Sequence, residues 1–203
     1  MTNNFEYIIS SLPFLTTDFK YAEGQGFGQV MEEIRENLSE KDSATLDFLL
    51  KGFQESELTR EFYADALKHR QPFIRAYFSF DMNLRNAKVR FLNKELGRAE
   101  DMDVMKLGEE EEAFEQLSSV EEALAEGDLL SREKALDDIV WAYVDDQSIF
   151  HYFDLTAVLA YVVKLHIVNR WLALDEEKGR SLFKQLVEEV RSSYSKEKIT
   201  QTI

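Results

Sequence analysis

Apolar residues along this chain recur mostly three and four positions apart, with few runs of strict alternation, and this spacing predicts α-helices with little room for sheet. The clearest case runs from Pro72 to Gly97, where Phe73, Tyr77, Phe80, Leu84, Ala87 and Phe91 form one stripe at helical period. Proline at the first turn and glycine just past the last are where those residues suit a helix. Upstream, residues 29–38 predict a short helix, Ser39 or Asp42 can cap another reaching about Phe53, and Thr59 or Glu57 opens a third to His69. Downstream, the acidic stretch from Glu109 predicts a helix toward Ala125. Gly127-Asp128 breaks it, a further helix spans roughly Ser131 to Asp146, and Asp154 caps an apolar one to Leu174. Asp175-Glu176-Glu177 puts negative charge at the first turn of a final helix, where free backbone N–H groups favour it.

Two segments are less regular. Residues 5–12 fit either a short strand or a helical turn closed by Pro13, and Tyr21 to Gly28, with three glycines, reads as a connector. The resulting expectation is an all-α, bundle-like single domain over 1–203. It divides into an N-terminal extended or turn segment (1–28), a first helical group (29–98, with the long helix at about 72–97), an acidic helical arm (99–130), C-terminal helices (131–193) and a polar tail (194–203).

Composition narrows the function classes. Of 203 residues, 44% are hydrophobic, enough for a core without staples, and the absence of cysteine excludes disulfides, thiolate metal sites and cysteine nucleophiles. A net charge of −15 opposes binding to nucleic acid or anionic lipid. The first residues carry neither a basic run nor a long apolar stretch, so no signal peptide is expected. The apolar segment Leu155 to Leu174 includes Lys164, His166, Asn169 and Arg170, which points to a buried helix rather than direct membrane insertion. A cytoplasmic location follows as the expectation.

No catalytic, cofactor or metal site is expected. Ala66, Ser148 and Val163 stand three residues before His69, His151 and His166, so the Glu-x-x-His spacing of helical metal centres is missing. His166 reads as a hydrogen-bonded core histidine and His69 as a helix-end ion pair with Asp65. Gly24-x-Gly26-x-Gly28 lacks the strand and the Lys-Ser/Thr ending of a phosphate loop, and the pairs Asp137-Asp138 and Asp145-Asp146 read as solvated. Charge is uneven: Thr59 to Arg98 holds nine Lys or Arg against four acids, whereas Glu100 to Asp128 holds twelve acids and Lys106. Either the acidic arm folds back on the basic helix or one of them meets an outside partner.

The long helix carries a second stripe, Arg75, Ser79, Asn83, Asn86, Arg90 and Asn93, opposite its apolar one. Asparagine is a poor helix former, so its repetition needs a use, because its amide can bond peptide groups of a neighbouring segment. Arg75, Asn83, Asn86, Arg90 and Asn93 are therefore candidates either for tying down loops of the same chain or for binding a partner. Asp81 and Arg85, four apart, fit a surface pair.

Four segments carry a resemblance: Tyr7-Ile8-Ile9-Ser10-Ser11-Leu12-Pro13, Leu38-Ser39-Glu40-Lys41-Asp42, Phe80 to Gly97, and Phe153-Asp154-Leu155 through Gly179. Together they look like a family of uncharacterised bacterial proteins, known chiefly from Bacteroides and relatives, encoded among the components of vacuolar/archaeal-type (V-type) rotary ATPases. The resemblance implies a counterpart of the all-helical cup of those ATPases, lettered C in the archaeal type and d in eukaryotes, which couples the central stalk to the membrane rotor. Asp81-Met82-Asn83-Leu84 through Arg90 is similar to a recurrent Asp, Asn and Arg helix of that cup. The cup protein is longer and built of three related bundles, so the resemblance implies a reduced version here. Its role would be a non-catalytic part in ion transport, held at the inner face of the cell membrane through central-stalk and rotor proteins.

Overall fold

Local chemistry starts most of the helices. The side chains of Asn4, Ser39, Thr59, Asp128 and Asp154 accept hydrogen bonds from backbone N–H groups three residues on, at 2.8 to 3.3 Å. Each meets donors that a helix start leaves free. The computed structural model describes residues 4–18, 26–107 and 113–173. Within them the order is α1 (Phe5–Ser11), α2 (Phe27–Glu36), α3 (Glu40–Lys51), a 3-10 turn (Glu55–Glu57), α4 (Arg60–Leu67), α5 (Pro72–Glu95), α6 (Leu117–Leu124), α7 (Leu129–Ser148) and α8 (Leu155–Ala173). The fold is all-α, with no strand among the described residues.

The apolar helix α8 is the hub. α1, α2, α3, α5 and α7 all pack on it, and Val158, Leu159, Val162, Val163, Leu165, Ile167 and Val168 are buried there. Each such side chain contributes about 1.5–3 kcal/mol by leaving water. Although α8 is long and apolar enough to cross a membrane, half of it lies inside the protein as a core helix. An aromatic cluster joins α3, α4 and α5 beside it: Phe78 meets Phe48 and Phe62 edge-on, with ring centroids 6.1 and 4.9 Å away. Gly52, at the end of α3, leaves room for that ring, since a Cβ there would stand 2.2 Å from Cε1 and Cζ of Phe78. A smaller core unites Phe80, Leu84 and Ala87 of α5 with Val120, Ala123 and Leu124 of α6 and Leu136 of α7.

Several expectations change. Residues 5–12 are helical, because Asn4 caps the turn and Ile8 is fully buried in the main core. The acidic arm holds a shorter helix than expected, Leu117–Leu124. Before it, residues 99–107 form turns and extended chain, with Asp103 at a φ of 62°, a conformation aspartate tolerates. The Glu109–Glu112 run, most of the 19–25 connector, the final helix from Asp175 and the tail from Ser192 lie outside the described residues. Gly97 ends α5 at a φ of 63°, where glycine carries no Cβ penalty.

Candidate interaction surface

The asparagine stripe of α5 faces its own chain. Asn86 is 5% exposed, donates from Nδ2 to the Met105 carbonyl and accepts the Met105 N–H, both at 2.9 Å. Its amide therefore pairs with one peptide as a neighbouring strand would. Further along the helix, Asn93 donates to the Glu100 and Met102 carbonyls at 3.0 and 2.7 Å. Arg90 reaches Asp101 at 3.1 Å, Lys106 reaches the same carboxylate at 2.7 Å, and both pull its pKa down. Arg75 donates to the carbonyls of His69 and Arg70 at 2.6 and 3.1 Å, closing the turn before α5. Asn83 lies half-buried on the same stripe. As a partner-binding surface the group Arg75, Asn86, Arg90 and Asn93 is thus corrected: these residues hold loops 69–70 and 99–107, and the start of the acidic arm folds back on the basic helix.

The histidines and acid pairs also differ from expectation. His166 stacks on Phe53, centroids 4.1 Å apart, and burial, reinforced by Arg170, lowers its pKa to about 4. Ring stacking rather than a hydrogen bond fixes it. His69 accepts the Gln71 N–H at 3.1 Å and stacks on Phe48 instead of pairing with Asp65, its pKa lowered by burial and then by Arg70 and Arg75. Asp137 is not solvated: it is 6% exposed and accepts the Trp171 indole N–H at 2.6 Å and the Arg170 guanidinium. Its neighbour Asp138 points outward to Lys134 at 2.9 Å, because adjacent helical residues face different ways. Asp81 pairs with Arg85 at 2.9 Å as expected and also accepts the Tyr63 hydroxyl at 2.5 Å, while burial pushes the Tyr63 phenol up.

What the stripe does not supply, the α7–α8 corner does. Residues 149–154 connect two long helices and carry four large apolar side chains that stay in water: Phe150 is 83% exposed, Tyr152 67%, Ile149 59% and Phe153 54%. The corner itself is well braced. His151 N–H bonds the Ser148 carbonyl at 2.9 Å, His151 Nδ1 pairs with Asp154 at 2.5 Å, and Asp154 caps α8. Beside it opens a cleft of about 430 Å³ between α1, the end of α7 and the first half of α8, floored by Trp141, Ala157, Ala160 and Tyr161. Tyr161 ties its far wall by donating to the Pro13 carbonyl at 2.8 Å, and Phe14, 77% exposed, stands on the rim. Asp145 and Asp146 form the charged edge. Lys164 pairs with Asp145 and lies 5.2 Å over the Trp141 ring.

A second, wider cleft of about 590 Å³ lies between the end of α5 and α7, with Phe91, Leu92 and Leu129 beside Lys88, Arg132 and Glu133. Burial lowers the pKa of Lys88, opposed in part by Glu133. Among the described residues no three His, Asp or Glu side chains converge as a metal site would need. The run Ile149 to Phe153 was legible as a signal: a six-residue link between a helix end and the Asp154 cap is too short to fold four large apolar groups inward.

A family model described as a protein of unknown function (DUF2764) matches residues 52–194. No curated protein and no solved structure matches the chain.

Proposed function

The chain belongs to the DUF2764 family, and from that premise we propose that it works as a non-catalytic, protein-binding component of a larger assembly. The observation that carries this reading is the braced corner Ile149–Asp154. Large apolar side chains held in water on a rigid link cost solubility without adding to the core, and such contiguous patches mark surfaces made to be covered. On the resemblance of its sequence to proteins encoded with V-type ATPases, the assembly is such an ATPase. The chain then acts as a reduced form of the helical cup, coupling central stalk to membrane rotor in ion transport. An all-helical body that offers shape and contact suits that work. So does the net charge of −15, which directs the protein to other proteins at the inner face of the membrane rather than to anionic lipid.

Affinity purification of the tagged protein from its native cells, with mass spectrometry of what accompanies it, tests the assignment. Stalk and rotor proteins in near-equal amounts are the expected result. Their absence under conditions that keep the ATPase assembled would sink the ATPase role, and a different set of companions would make the chain a cytoplasmic helical scaffold or regulator.

A further inference from the structure

Resting on the docking role proposed above, we infer that the α7–α8 corner and its cleft receive a basic amphipathic helix from a partner protein. Three observations select that occupant. The surface is a groove between helices with aromatic rims, Phe14 on one side and Phe150 and Tyr152 on the other. A groove of this kind takes the apolar face of a helix, whereas strand addition needs a sheet edge, and none exists among the described residues.

The charge at the rim then specifies the partner's sign. α7 ends with Asp145 and Asp146 in its last turn and no basic residue there, so both carboxylates sit at the negative end of the helix dipole, an unfavourable placement. Lys164 answers Asp145, and His151 is engaged by Asp154. Asp146 is exposed and has no cation among the described residues. A Lys or Arg on the partner supplies the missing charge. A second copy of this chain would instead bring the same acidic rim against itself, and anionic lipid would be repelled in the same way.

Fluorescence anisotropy with a labelled synthetic helix of about 18 residues, roughly five turns, patterned from Leu and Lys, tests this directly. Two controls accompany it: the same pattern with Glu for Lys, and a Gly/Lys peptide of equal charge without Leu. The Leu/Lys helix should bind the full chain, with affinity falling as salt rises, and neither control should match it. Phe150→Asp should weaken binding by roughly tenfold or more, as loss of an aromatic anchor does. Asp145→Asn with Asp146→Asn should weaken it and flatten the salt dependence, whereas Glu55→Gln with Glu57→Gln, equal in charge and distant in the fold, should not.

Equal binding of the Leu/Glu helix, equal binding of the Gly/Lys peptide, or unchanged affinity in Phe150→Asp would each overturn the inference. So would sedimentation showing a dimer of the wild type that Phe150→Asp dissolves, which would give the corner to a second copy. The groove and the ATPase role can fail separately. Peptide binding without ATPase proteins in the purification leaves the helix-binding groove standing and removes the ATPase role, while ATPase proteins recovered equally by wild type and Phe150→Asp do the reverse.

Discussion

Replacing Asn86 by alanine removes a side chain that is 5% exposed and holds both peptide groups of Met105 at 2.9 Å. The variant leaves one N–H and one C=O without their partner. A buried polar group so orphaned costs about 1–3 kcal/mol, and Met105 is only half-buried, so water recovers part of the loss and a net cost of about 2 kcal/mol is expected. For a chain of this size that is a fall of about 4–8 °C in melting temperature. Urea unfolding of wild type and variant, followed by circular dichroism, measures it as a lower midpoint at unchanged slope. Asn86→Asp sharpens the test. Its carboxylate still accepts the Met105 N–H but sets a second oxygen against the Met105 carbonyl, so it should be destabilised at neutral pH and recover on acidification, when the carboxyl can donate. If Asn86→Ala stays within about 0.5 kcal/mol of wild type, the loop does not depend on this amide and the reading of the stripe is wrong.

Gly52→Ala should cost about 1–3 kcal/mol by thermal melting, because the new Cβ meets the buried Phe78 ring, and adding Phe78→Leu should recover part of it. Asp137→Ala strands the Trp171 indole N–H and the Arg170 guanidinium and should lose about 2–3 kcal/mol in urea, against about 0.5 or less for the exposed Asp138→Ala. His166 has its pKa lowered from 6.5 to about 4, so the unfolded chain binds the proton first as pH falls. Its contribution is therefore complete above pH 6.5 and is lost between 6.5 and about 4. His166→Phe keeps the stack on Phe53 and should melt with a shallower decline across that window than wild type; parallel curves would refute the assignment.

Features set by neighbours in sequence were the legible ones. The caps at Ser39, Thr59 and Asp154, the proline that opens α5 and the glycine that ends it act over three or four residues, so helix order and the apolar stripe of α5 follow from the chain alone. Even residues 5–12, where periodicity allowed two states, needed only the burial of Ile8 to decide. Distances across the fold decided the rest. Asp137 and Asp138 are adjacent in sequence and alike in chemistry, and only the position of α8, 33 residues on, buries one against Arg170 and leaves the other in water. The asparagines of α5 announced that something must meet their amides, yet whether that was loop 99–107 or another protein depended on where the chain turned after Gly97. The corner at 149–154 reverses the order of inference: its apolar residues look like core in the sequence, and they become a surface only because α7 and α8 pack so closely behind them that no interior is left for them to enter.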